Sequence, residues 1–134
     1  MGVKKRNKAE AIKDKKQSLA FAKLNDCPTS PRKMRLVVDT IRNDSVEIAL
    51  SKLKYTNRES AKRLEKLLLS AISNWQAKNE DADVESAGLY VKEVKVDSAG
   101  MLKRLRPAPQ GRAHRIRKRS NHVTLTLGEN LNEE

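Results

Sequence analysis

Between Ser30 and Gln76 apolar residues recur every three or four positions, whereas on either side they alternate in twos or give way to charge. Thr29-Ser30-Pro31 opens the periodic region, with Ser30 as an N-cap and Pro31 at the first helical position, where the missing N–H costs nothing. Met34, Val37, Val38 and Ile41 follow at i, i+3, i+4 and i+7 and form one apolar stripe, leaving Arg32, Lys33 and Arg35 off it. Asn43, tolerant of a left-handed backbone, is the stop. Ser45 caps a second, shorter helix that buries Val46, Ala49, Leu50 and Leu53. Thr56 and Glu59 match a T-x-x-E capping box ahead of a third helix. Its Ala61, Leu64, Leu68, Ala71, Ile72 and Trp75 keep the rhythm until the polar run 78–83, and Trp75 reads as a core plug.

Strand patterns flank this region. Ser18 to Leu24 is a short apolar run closed by Asn25-Asp26 and Pro28. Leu89 to Val96 is rich in β-branched residues but alternates imperfectly, which predicts a bulge. In His122 to Leu127 the alternation is clean, with Val123, Leu125 and Leu127 on one side. Pro107, Pro109 and Gly111 lie midway between the last two runs and predict a turn. The fold class is therefore α+β: a small three-helix domain packed on a short antiparallel sheet, with a long protruding β-hairpin. From Leu89 to the tip is about 18 residues, or roughly 60 Å of strand, while a globule of about 90 residues is only some 30–35 Å across. Part of the hairpin must project. The chain divides into a basic N-terminal tail (1–16), a globular domain (17–97 and 120–128), an extended basic hairpin (98–119) and an acidic C-terminal tail (129–134) with no evident role.

Charge sharpens the hairpin. The 134 residues carry 29 Lys or Arg against 17 Asp or Glu, a net +12. Residues 98–128 hold eight of the cations, Lys103, Arg104, Arg106, Arg112, Arg115, Arg117, Lys118 and Arg119, and no carboxylate. So dense a run of like charge repels itself until an anionic partner neutralises it. The tail at 1–16, seven Lys or Arg against Glu10 and Asp14, reads as unstructured alone and ordered against a polyanion. With 3% aromatic residues the core must be small and aliphatic. A single cysteine, Cys27, points to a reducing compartment. No stretch is apolar enough for a signal peptide or a membrane span, so the expectation is a cytoplasmic protein without a membrane partner.

Little here points to catalysis. There is no CxxC, HExxH, Walker loop or GxGxxG, and neither a cofactor nor a metal site is expected. His114 and His122 lie in the most basic stretch with no nearby acid in sequence to orient them, so they read as contacts to RNA rather than as an acid/base pair. Arginine pairs with phosphate through two hydrogen bonds and stacks on unpaired bases, which suits RNA. Aromatic stacking platforms are absent from residues 91–134, so binding rests on phosphate contacts and shape. Two rival readings stand beside this one. An architectural DNA-bending protein would insert Pro107 as a wedge into the minor groove, and an RNA-processing enzyme would use His114 and His122.

The helix start SPRKMRLVVDTIR, the run SAISNWQ, and LYVKEVKVD followed by KRLRPAPQGRAHRIRKRSNHVTLTL together resemble the bacterial large-subunit ribosomal protein family twenty-two, over about residues 18–128. Asn43 departs from the pattern, standing where Gly is expected. The resemblance implies a structural constituent of the large ribosomal subunit that binds 23S-type rRNA, aids assembly and lines the polypeptide exit tunnel with its hairpin. By position, Ser30, Pro31, Arg32, Lys33 and Arg35 would face rRNA from the first helix. Lys103, Arg104 and Arg106 would lie on the outgoing strand, and Arg112, His114, Arg115, Arg117, Lys118 and Arg119 on the return, with Ser120 and His122 at the hairpin base. Pro107, Ala108, Pro109, Gln110 and Gly111 would form the tunnel tip. Implied partners are large-subunit rRNA, neighbouring ribosomal proteins and the nascent peptide, with one copy per ribosome and no homo-oligomer.

Overall fold

The computed structural model describes residues 2–79, 84 and 86–129, with the side chains of 15–18 outside the description. Its elements are α1 (Val3–Ser18), β1 (Phe21–Cys27), α2 (Pro31–Val38), α3 (Val46–Tyr55), α4 (Glu59–Gln76), β2 (Tyr90–Pro107), a 3-10 turn (Pro109–Gly111) and β3 (Ala113–Gly128). The strands form one antiparallel sheet in the order β1-β3-β2. Helices α2, α3 and α4 share one core with the lower part of that sheet, as the α+β expectation required.

The apolar stripes meet there. Met34, Val37, Val38 and Ile41 are buried, although α2 itself stops at Val38 and Ile41 packs from the turn beyond it. Asn43 takes a left-handed φ of 62°, and its N–H donates to the Val91 carbonyl at 3.0 Å. Val91 in turn donates to the Asp44 carbonyl and Val46 to that of Leu89, so the α2–α3 connection covers the edge of β2. Leu53, Leu64, Leu68 and Leu125 fill the centre. Trp75 plugs the core as expected, and its Nε1–H donates to Glu129 Oε1 at 2.8 Å.

Four details differ from the sequence reading. The residues taken as an unstructured tail form α1, because Ala, Lys and Glu are good helix formers and residues 3–18 hold neither Gly nor Pro. Strand β1 runs on to Cys27: the Asn25-Asp26 pair does not end it but is absorbed as an irregularity, with Asp26 at φ 49° between the pairs Leu24↔Val123 and Cys27↔Asn121. There is no capping box. The Thr56 hydroxyl donates back to the Lys52 carbonyl at 2.6 Å and closes α3, while Glu59 accepts a 2.7 Å hydrogen bond from Arg63 Nη2 that raises the guanidinium pKa. Glu129, assigned no role with the acidic tail, is the partner of Trp75; residues 130–134 lie outside the description, as do 80–83 of the polar run after α4.

The bulge expected in the first hairpin strand lies at Val91/Glu93. A second shift, between Ser98↔Asn121 and Met101↔Arg119, sets Ala99 and Gly100 of β2 against Ser120 of β3. Bulges bend a strand and increase its local twist. This one stands where the ladder leaves the core, and the ribbon beyond it is the arm.

Candidate nucleic-acid interface

Above the second bulge the register runs without interruption from Met101↔Arg119 to Pro107↔Ala113. Residues opposite one another on antiparallel strands share a face, and successive residues alternate faces. One face of the arm therefore carries Lys103, Arg115, Arg117 and Arg119 with Met101 and Leu105. The other carries Arg104, Arg106, Lys118 and His114 with Leu102 and Ile116. All seven cations are exposed, and none forms an ion pair among the described residues. Lys103 stands directly across from Arg117, a like-charge pair that weakens an isolated ribbon.

Local geometry explains the tip. The Ala108 N–H donates to the Arg112 carbonyl at 2.8 Å, and Gln110 and Gly111 both adopt left-handed φ values of 63° and 68°. Nothing lies within 4 Å of where a Gly111 Cβ would stand, so glycine is needed there for its backbone freedom and not for space. Pro107 ends β2 and Pro109 starts the turn. Arg112 sits just past the turn, before β3 begins. The five tip residues 107–111 carry no charge.

At its root the arm meets α2. Pro28, Ser30, Leu102, Arg104, Arg117, Lys118, Arg119 and Ser120 line one groove. Ser30 lines this groove and makes no side-chain cap hydrogen bond, and Arg32 and Lys33 are exposed in the first turn of α2 that follows it. Pro31 does not belong to the surface: it is buried, where its ring starts the helix and packs inward. Arg35 is exposed but engaged, since its Nη2 donates to the Val96 carbonyl at 2.9 Å.

Sequence reasoning missed the residues that hold this junction. Asn121 is fully buried, and its Nδ2 donates to the Thr29 carbonyl at 2.6 Å and the Thr29 hydroxyl at 2.8 Å. It thereby ties the segment before α2 to the root of β3. The signal was present, because Asn121 continues the inward series Val123, Leu125, Leu127 by one more step of two. His122 does have an acid beside it, contrary to expectation. Its Nδ1 accepts the Asp26 N–H at 3.0 Å, with the Asp26 carboxylate 3.9 Å from Nε2. One ring nitrogen is thus spent inside the chain. His114 and His122 are eight residues apart on one strand, roughly 26 Å, which is too far for both to act on one substrate. Among the described residues no group of His, Cys, Asp or Glu could hold a metal ion.

Comparisons with known proteins agree with this geometry. The family model for ribosomal protein L22p/L17e matches residues 22–128. The large ribosomal subunit protein uL22 of Christiangramia forsetii is 67% identical over 134 residues, covering 100% of this chain and 99% of its own length. Those of Flavobacterium johnsoniae (64% over 128 residues; 96% and 93% covered) and Bacteroides fragilis (54% over 134 residues; 100% and 98% covered) are similar in the same way. Since core, junction and arm all fall within the matched residues, the chain belongs to the ribosomal protein L22p/L17e family, whose members are structural and not enzymes.

Proposed function

We propose that this ribosomal protein binds large-subunit rRNA through its arm and the α2 groove, helps that RNA to assemble, and lines the polypeptide exit tunnel with its tip. One observation carries the reading: the arm presents cations on both faces of a two-stranded ribbon. A ribbon charged on one face suits a protein lying on a surface, whereas one charged on both suits enclosure between RNA segments. Each guanidinium or ammonium group that meets a phosphate releases counterions, and the gain is largest where charge is densest. The like-charge pair Lys103↔Arg117 then becomes an asset, because phosphate between the two relieves the repulsion. Ser30, Arg32 and Lys33 extend the phosphate-binding surface from the stem onto the base. The uncharged tip contributes little to anchoring and instead occupies space beside the nascent peptide. The protein acts in the cytoplasm as one copy per large subunit, among neighbouring ribosomal proteins.

Two full-length variants test this. In one, residues 108–112 are replaced by a two-residue turn; in the other, Arg115, Arg117, Lys118 and Arg119 are changed to Gln. The stem variant should fall in subunit occupancy, measured by mass spectrometry, and its plot of log K against log salt on rRNA should flatten by about three units at ~0.7–0.9 per phosphate. The tip variant should incorporate normally and alter nascent-chain stalling or sensitivity to tunnel-binding macrolides. If the tip variant fails to incorporate, the anchoring lies in the wrong place; if it incorporates and changes neither stalling nor drug response, the tip does not reach the tunnel wall.

A further inference from the structure

Helices α2 and α4 start beside one cleft of about 530 Å³. Residues 28–30 and Lys33 line it from the start of α2, and residues 58–60 from the start of α4, with Leu36 as an apolar wall. Both starts lack acceptors. The first N–H groups of a helix have no partner inside it. Here they belong to Arg32 and Lys33 in α2 and to Glu59 and Ser60 in α4, and none of the four meets an acceptor among the described residues. Ser30 makes no cap hydrogen bond. Arg58, at the N-cap of α4, carries donors only and cannot make one. Cations at a helix start also oppose the helix dipole. Yet Lys33 and Arg58 stand at the two starts, exposed and outside every ion pair among the described residues.

A buried hydroxyl points to the same cleft. Ser60 is only 6% exposed, and its side chain makes no hydrogen bond among the described residues. Such a hydroxyl is either sealed or open to a cavity. The sealed, unpaired side-chain atoms among the described residues are Arg63 Nε and Asn121 Oδ1. The Ser60 Oγ is therefore open, and the cleft is what it opens onto. Of the other polar groups on the lining, Thr29 is spent on Asn121, and the one carboxylate, Glu59, is held by Arg63 Nη2 at 2.7 Å. What remains is two helix starts, a spare hydroxyl and two free cations, the set of donors that a phosphate group takes. Leu36, 54% exposed, offers the adjoining ribose an apolar surface. Pro28 and Ser30 line both this cleft and the groove at the arm's root, so the two are continuous.

We propose that the cleft between α2 and α4 is a phosphate site, which takes a backbone phosphate of RNA on the N–H groups of both helix starts and the Ser60 hydroxyl, with Lys33 and Arg58 flanking it. The proposal rests on reading the chain as an RNA binder, and it adds α4, which that reading leaves out, to the surface. The test is nitrogen–proton NMR of the full chain, titrated with a short oligouridylate, with inorganic phosphate and with polyglutamate. The oligouridylate should move the amide signals of Lys33 and Ser60 together, with one Kd, and inorganic phosphate should move the same signals more weakly. Ser60→Ala leaves the backbone in place and should weaken the oligouridylate at this cleft by about tenfold or more, the scale of one hydrogen bond to a charged group. Lys33→Gln/Arg58→Gln should remove the shifts at both helix starts and spare those on the arm. Glu59→Gln removes the carboxylate and should tighten binding, a result that damage to the fold cannot produce. Repeating the titration on the stem quadruple variant separates the two readings. Shifts at Lys33 and Ser60 that persist there, beside an unchanged salt slope, sink the arm and keep the cleft. Shifts on the wild-type arm with none at Lys33 and Ser60 sink the cleft and keep the arm. Movement at only one helix start, unchanged affinity in Ser60→Ala, or weaker binding by Glu59→Gln also overturns the proposal. So does inorganic phosphate that binds as tightly as the oligouridylate, which would make this a free-anion site. Equal shifts with polyglutamate would make an acidic protein the partner instead.

Discussion

Strands β2 and β3 run through two regions that differ in almost everything but hydrogen bonding. Below Ser98↔Asn121, every second residue of β3 is buried under α2 and α4; above it, the same alternation continues and no residue is buried. In the base, cross-strand pairs such as Val94↔Leu125 and Val96↔Val123 put apolar groups under helices. In the arm the equivalent positions are Lys103↔Arg117 and Leu105↔Arg115. Backbone pairing is thus common to both regions and distinguishes neither. What differs is the covering, a helical layer over the base and none over the arm, where the proposed function puts phosphate. A two-stranded ribbon is only marginally stable in water, so the base should hold nearly all the folding energy and the arm most of the binding energy.

That division makes separable predictions. The largest effect on stability should come from the centre of the base. Leu68→Ala, at a fully buried position on α4, should cost about 2–5 kcal/mol, the range for large-to-small changes in a packed core. The salt dependence of RNA binding should not move. Denaturant titration gives the first number and filter binding the second. A cost below about 0.5 kcal/mol would show that Leu68 does not anchor the core as its burial implies.

How far these regions were legible in the sequence follows the same line. Helices α2, α3 and α4 were readable because burial imposes a period of three and four on their residues, and Val123, Leu125 and Leu127 because burial imposes a period of two. Helix α1 buries none of its described side chains and its residues follow no period, so only its composition could have shown it. Thr56 misled because T-x-x-E marks a helix start only if the threonine is free, and here its hydroxyl turns back onto α3. The arm's cations were plain from charge count alone. Their division between two faces depends on the register set beyond Ala99-Gly100, which no spacing announces. The contacts that join base to arm, Arg35 to Val96, Asn121 to Thr29 and Asp26 to His122, link residues 61, 92 and 96 positions apart and leave no local pattern.

One of those contacts sharpens the boundary between the regions. Asn121 belongs to the arm's strand but spends both its donor contacts on the base. Asn121→Ala should therefore lower stability by about 1–3 kcal/mol, the cost of losing a buried polar partner, and leave the RNA salt slope unchanged. A slope altered by a unit or more would mean that this junction aims the cations and that the two regions are coupled through it.

The smallest effect should come from the largest excision. Joining Ser98 to Asn121 through a two-residue turn removes the arm at its last regular base pair, below the bulge. No buried side chain is lost, because residues 99–120 hold none. Two small terms remain and oppose each other. Shortening a flexible loop from about 22 residues to two gains roughly 2 kcal/mol of closure entropy at ~0.6 kcal/mol per halving. Removing the ladder forfeits whatever the arm's own pairing contributes, which for a like-charged ribbon in water is close to zero or slightly favourable. If the free arm is paired, its closure cost is already met locally and the excised protein should unfold within about 1 kcal/mol of the full chain. A gain near 2 kcal/mol would mean that the arm is an open loop until RNA orders it. Either outcome keeps a single cooperative transition by circular dichroism. Loss of that transition, or a cost above about 2 kcal/mol, would place the arm in the folding core and break the comparison.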